Sequence, residues 1–232
     1  MKKVVILQSN YIPWRGYFDL IAVADEFVIY DDVQYTKRDW RNRNQIKTPT
    51  GLLWLNIPVF YRSRNEGTQK INETEIQGNE WAKEHWLKIK HNYAKTPCFN
   101  EISSILEPLY LSAMPTNLSS LNRLFIESIC EYLGITTKIT NSWDYTSSTG
   151  KTERLVDICL QAGATEYISG PAAQAYIKQS IFDDVGIKLT WFDYSGYPQY
   201  QQLWGDFEPK VSIIDLLFNC GKESHKYMKF KD

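Results

Sequence analysis

Residues 4–47, VVILQSNYIPWRGYFDLIAVADEFVIYDDVQYTKRDWRNRNQIK, decide the fold of this chain. The opening run is short, apolar and β-branched, the composition of a buried strand. It stops at Gln8-Ser9-Asn10. Pro13 and Gly16 punctuate a loop, YFDLIAVA reads as a short helix, and EFVIY is a second buried strand ending in Asp31-Asp32. Strand, loop, helix, strand is a βαβ-type unit. Open α/β sheets bind ligands outside the carboxyl ends of their strands, where this chain places Gln8, Ser9, Asn10, Asp31 and Asp32. Adjacent carboxylates on a strand point to opposite faces, so one working aspartate is expected rather than a paired acid and base.

The run from Lys37 to Lys47 follows directly and holds five cations and one anion in a chain of net charge −1. Guanidinium groups grip phosphate or carboxylate through a rigid fork, so Lys37, Arg38, Arg41 and Arg43 are candidate anion ligands. If the run is extended, Arg41 and Arg43 share one face and Trp40, Asn42 and Asn44 the other. A solvated edge strand is the competing explanation. Trp40 and the amides of Asn42 and Asn44 favour a site, because a solubilising surface has no use for a large aromatic.

Outward from this unit, LLWLNIPVF reads as a further strand ending near Pro58, and a polar excursion adds Arg62, Arg64 and Lys70 to the local positive charge. Residues 79–134 turn helical. Trp81, His85, Ile89 and Tyr93 recur at spacings of four, and Thr96-Pro97 stops that helix. Phe99–Leu111 reads as a helix broken near Pro108, and a third runs to Gly134. Strands then alternate with helices: ITTKIT, KTERLVDICLQAGA, TEYISG, PAAQAYIKQSIFDDVG as one helix, IKLTWFDY, and after an aromatic loop the helix VSIIDLLFNCG. The pattern predicts one α/β domain over 1–232, a mostly parallel sheet flanked by helices, with a helical insertion at 79–134.

Length and composition agree. The 232 residues are 43% hydrophobic and 14% aromatic, enough for a sizeable core. The balance of 26 Lys+Arg against 27 Asp+Glu speaks against a nucleic-acid binder and for a small anionic ligand. The first apolar run is too short for a signal segment, and no stretch nears the ~20 apolar residues of a membrane span, so a cytoplasmic protein is expected. Four scattered cysteines without a CxxC read as free thiols, and no metal site is expected.

Several residues invite chemistry. Ser148-Thr149-Gly150-Lys151-Thr152 resembles the end of a P-loop but lacks the earlier glycine and the strand ahead, so a helix capped by Ser148 or Thr149 is expected. That helix start still suits an anion. Arg15 could clamp a phosphate in a nucleotidyltransferase-like loop that here has no histidines. His85 lies on an apolar stripe, as a core residue or a general base. Cys220 with His225 could carry an acyl group, although an apolar helix end favours an inert thiol. The loop with Tyr194, Tyr197, Tyr200 and Trp204 could cover a ligand or only the sheet edge.

The string QSNYIPWRGYFDLI…ADEFVIYDDVQYTKRDWRNRNQIKT resembles the N-terminal signature of the WbqC-like family, bacterial proteins associated with polysaccharide and O-antigen biosynthesis. EHWLKIKHNYAKTPCF, SLNRLFIESICEYLG, GKTERLVDICLQAGATEYISGPAAQAYI and SIIDLLFNCG resemble its later blocks in the same order. The resemblance implies an enzyme transferring an acyl or aminoacyl group to the amine of a nucleotide-linked amino sugar. Under it Asp31, Asp32 or His85 takes the proton, and Gln8, Asn10, Tyr11, Arg15, Lys37, Arg38, Arg41, Asn42, Arg43, Asn44 and Tyr197 hold the substrate. The donor would be an acyl thioester or ATP. Alternatives are ATP-dependent adenylyl or amide-forming chemistry, or non-catalytic binding of a nucleotide sugar.

Overall fold

Why the first unit folds as it does is plain in the computed structural model, which describes residues 1–62, 67–112 and 114–230; Arg64 lies outside them. Strands β1 (Lys3–Leu7) and β2 (Glu26–Ile29) carry apolar side chains on both faces, which a strand tolerates only in the middle of a covered sheet. Helix α1 (Arg15–Ala22) joins them. The antiparallel hairpin β3 (Arg43–Thr48) and β4 (Gly51–Asn56) stands apart as a two-stranded sheet. Then come α2 (Glu80–Tyr93), α3 (Phe99–Leu111), α4 (Leu118–Tyr132), β5 (Lys138–Asn141), α5 (Lys151–Gln161), β6 (Glu166–Ser169), α6 (Gln179–Asp183), β7 (Lys188–Trp191) and α7 (Ile213–Cys220).

The main sheet is parallel throughout, in the order β5-β2-β1-β6-β7. From β1 the chain first builds outward through β2 to β5, then returns to the other side of β1 for β6 and β7. The order therefore reverses between β1 and β6, the place where open α/β sheets form a crevice at their carboxyl edge. Val5, Phe27 and Ile29 face a large core shared with α1 to α4 and α7. Val4, Ile6 and Val28 face a second core under α5 and α6.

Three local expectations change. The stretch 79–134 is three helices, but α4 lies on the sheet: Ser119 Oγ donates to Asp31 Oδ2 at 2.6 Å, and Arg123 reaches the Ile139 carbonyl at 3.0 Å. It is the crossover onto β5, with the hairpin, α2 and α3 set before it. Helix α3 runs through Pro108, because Leu106 and Tyr110 on either side are buried and hold the turn in place. The segment after β6 is not one helix. A 3₁₀ turn at Pro171–Ala175 precedes the short α6. No helix among the described residues is long and apolar enough to cross a membrane.

Candidate functional site at the strand-order reversal

Where β1 and β6 end side by side, a cleft of about 380 Å³ opens. Gln8 enters it from the end of β1, Tyr30 from the end of β2, Lys151 and Leu155 from the first turns of α5, Tyr167 from β6, and Tyr176 from beyond the 3₁₀ turn. Helix α5 starts here without a side-chain cap: its N-cap is Gly150, not Ser148 or Thr149 as the sequence suggested. Its first backbone N–H groups and its dipole make this end attractive to anions. Three tyrosines and the aliphatic Ile6, Leu7, Val33 and Leu155 form the walls, and with one lysine and one amide they make a lining suited to an anionic ligand with a ring.

Asp32, one residue before the lining Val33, and Arg154, next to the lining Leu155, lie behind the cleft wall. Arg154 pairs with the Asp32 carboxylate and lies over the Tyr30 ring, its carbon Cζ 4.9 Å from the centroid. Ser142 Oγ also donates to Asp32, and Arg154 Nε donates to Ser147 Oγ at 3.0 Å. Burial pushes the Tyr30 and Tyr176 hydroxyls above their ordinary range, so both stay protonated as donors near neutral pH.

Asp31 goes the other way. It is fully buried, accepts from the Ser9 amide at 2.8 Å and from Ser119 Oγ, and fixes the loop leaving β1 to the start of α4. Asn122 Nδ2 donates to Ser9 Oγ and to the Arg41 carbonyl, both at 2.9 Å. Arg41 donates to the Ser9 carbonyl at 3.1 Å and to Asn10 Oδ1. Asn44 Nδ2 bonds the Tyr11 and Ile12 carbonyls at 3.0 and 2.8 Å, and Asn42 Nδ2 the Ile57 carbonyl at 2.8 Å. These bonds hold Ile12, a buried β-branched residue, at φ 37°, a strained conformation for its type. Asn10, Arg41 and Asn44 thus shape the loop beside the cleft, Asn42 ties the basic run to the chain after β4, and of the N-terminal polar residues Gln8 enters the cleft.

Other candidates lie farther off. His85 is 2% exposed beneath Tyr11, its Nδ1 3.0 Å from the Tyr11 hydroxyl, which is 2.6 Å from that of Tyr110. Burial, with a smaller push from Lys88, brings its pKa down to about 4, so it is neutral near pH 7. Arg15 donates to the carbonyls of Pro198 and Tyr227 at 2.8 and 2.9 Å and lies 4.6 Å from the Tyr197 ring centroid. Tyr197 in turn donates to buried Asp19 at 2.6 Å. Together they pin the aromatic loop to α1, away from the cleft.

The basic run is not extended throughout. Only Arg43–Thr48 is strand; residues 36–42 turn. Lys37 Nζ sits 3.5 Å over the Tyr61 ring, and Arg43 stacks on Trp54. Burial, then the neighbouring Cys98 thiol, pushes the Cys220 thiol up to about 11, and His225 faces the Lys222 carbonyl instead. Among the described residues no three His, Cys, Asp or Glu side chains cluster to hold a metal.

Sequence reasoning placed Gln8, Asp31 and Asp32 at this edge but missed Tyr30, Arg154, Tyr167 and Tyr176. The signal available for Lys151 and Arg154 was the helix start after STG, a place suited to an anion. A cleft of about 400 Å³ also opens beside Lys37 and Tyr61, away from the strand ends.

The model of the WbqC-like protein family matches residues 8–227. An uncharacterized protein, Rv1507c of Mycobacterium tuberculosis (strain ATCC 25618 / H37Rv), is 58% identical over 230 residues, 99% of each chain. No solved structure matches the chain. The family match spans the cleft residues from Gln8 to Tyr176 and runs on through α7: this chain belongs to the WbqC-like protein family.

Proposed function

We propose that this protein is an enzyme of surface-glycan biosynthesis that acylates the amine of a nucleotide-linked amino sugar held in the cleft between β1 and β6. The observation that carries the reading is the cleft itself: a tyrosine-walled opening at the strand-order reversal, with Lys151 at an uncapped helix start. Lys151 and the α5 amides receive phosphate oxygens, Tyr30 and Tyr176 bracket the ring system, and Gln8 orients the sugar. The amine nitrogen bonds to the acyl carbon as the donor's acyl bond breaks. The amine's proton passes to the Asp32 carboxylate and the leaving group takes up a proton.

A non-catalytic reading has its own support. The Asp32 carboxylate is already engaged by Arg154 and Ser142, and His85 is sealed below Tyr11. A protein that only presents a nucleotide sugar to a partner needs no free base.

Titration with a nucleotide-linked amino sugar, followed by melting temperature, tests the site, because a ligand of the folded state raises it. Binding is expected, weakened about ten-fold by Lys151→Ala through loss of one charge-assisted contact. No binding by the parent protein removes the proposal. Binding without acylation of the amine by any coenzyme A thioester or ATP-activated donor leaves the presenting role.

A further inference from the structure

Beside the N-terminal loop, Arg43, Trp54 and Trp40 pack in a row. The Arg43 guanidinium lies 4.3 Å from the Trp54 ring centroid, and Trp54 lies 5.6 Å from Trp40 at an interplanar angle of 32°. Trp40 ends the row and is 43% exposed, so part of its indole is open to solvent. The turn carrying it is built rather than loose. Thr36 Oγ1 donates to Asp39 Oδ2 and the Trp40 amide to Asp39 Oδ1, at 2.8 and 2.7 Å, and Arg43 donates to the Arg38 carbonyl. Arg38 is held at φ 60° with its side chain exposed, and Lys37 lines the cleft next to the turn. Residues 37–43 hold four cations against the one carboxylate of Asp39.

We propose that this turn is a second binding site, an indole platform with cationic flanks for the adenine nucleotide portion of the activated donor. A flat aromatic ring packs on the exposed part of the Trp40 indole, and phosphates meet Arg38 and Lys37. The charge decides between ring types: a neutral sugar ring would gain nothing from this surplus, whereas a nucleotide brings both the ring and the anion. The two donor classes open to the proposed acylation, a coenzyme A thioester and ATP, share that chemistry. The need for a donor rests on the proposed function; the stack and its charge do not. The platform is joined to the cleft by the shared loop, since the Tyr11 amide donates to the Trp40 carbonyl at 3.0 Å and Gln8 lies three residues earlier.

Calorimetric titration of the full chain with adenosine 5′-diphosphate tests the platform, with ATP and coenzyme A as arms that separate the two sources. Binding is expected, weakened about ten-fold or more by Trp40→Ala and little by Trp40→Phe. Arg38→Ala should weaken adenosine diphosphate and inorganic pyrophosphate alike, while Trp40→Ala leaves pyrophosphate unchanged. Tighter binding of coenzyme A or of ATP names the donor and supports the platform either way. Absence of adenine-nucleotide binding, or affinity unchanged in Trp40→Ala, overturns it; so does binding abolished by Tyr176→Ala but not by Trp40→Ala, which moves the adenine to the cleft. Trp40-dependent binding in a protein that ignores amino-sugar nucleotides keeps the platform and removes the transferase reading.

Discussion

Asp31 and Asp32 are neighbours in sequence and opposites in environment. Asp31 turns toward α4 into a sealed layer, where the Ser9 amide and the Ser119 hydroxyl satisfy it and Arg41 lies near. Asp32 turns toward α5 and the open cleft, mostly buried beside Arg154. The same contrast divides the whole carboxyl edge. On one side lie the buried His85–Tyr11–Tyr110 chain and the Asn44 clamp; on the other lie the tyrosines, Lys151 and the uncapped helix. A residue type that can do chemistry is drawn into architecture wherever the fold offers it buried partners. Chemistry is left to the side with a cavity.

The largest test of that division is deletion of each carboxylate. Asp31→Ala removes the acceptor of two buried donors and should destabilise the fold by roughly 3–5 kcal/mol, read as a fall in the urea midpoint. Asp32→Ala removes a mostly buried pair with Arg154 and should cost less, roughly 1.5–3 kcal/mol, while weakening function at the cleft. Equal losses for the two would erase the contrast between the faces.

The pH dependence of stability should show the sealed side next. His85 has a folded-state pKa of about 4, below its ordinary value near 6.5. Its neutral form is therefore favoured by folding, and its contribution is complete above pH ~6.5. Between pH ~6.5 and ~4 the unfolded chain takes up a proton that the folded protein refuses, so stability falls by about 3 kcal/mol across that window. Burial raises the buried carboxyls Asp19, Asp31 and Asp215, which act in the opposite sense at low pH. They are common to the parent and to His85→Gln, so the difference between the two unfolding curves isolates His85. An equal slope in both proteins would mean that His85 is hydrated and available for proton transfer.

What could be read in the sequence was local. The βαβ unit, the alternation at the C-terminal end and the divergence of Asp31 from Asp32 all follow from apolar runs and a period of two. The cleft was half legible. Gln8 and Asp32 come from strand ends that announce themselves. Arg154 and Tyr176 reach the same point from more than 120 residues later in the chain, and no short-range pattern encodes that meeting. Charge misled in a systematic way: an arginine looks the same in sequence whether it faces a phosphate or, like Arg15, two backbone carbonyls. The basic run was legible as charge but not as shape, because the turn at 36–42 depends on Asp39 bonding its own neighbours.

That turn supplies the smallest and sharpest test. Arg38 sits at φ 60°, where a side chain clashes with its own backbone, a cost of about 1–2 kcal/mol that glycine avoids. Glycine in turn gives the unfolded chain extra freedom, worth roughly 0.5–1 kcal/mol. If the exposed Arg38 side chain serves ligand and not the fold, Arg38→Gly should stabilise the protein by about 0.5 kcal/mol, a rise in melting temperature of roughly 1–2 °C. The same change should weaken adenine-nucleotide binding. Stability gained as affinity is lost would mark a strained residue retained for its charge. A fall in melting temperature would mean instead that the Arg38 side chain packs into the fold, and this turn would then join Asp31 and His85 on the architectural side.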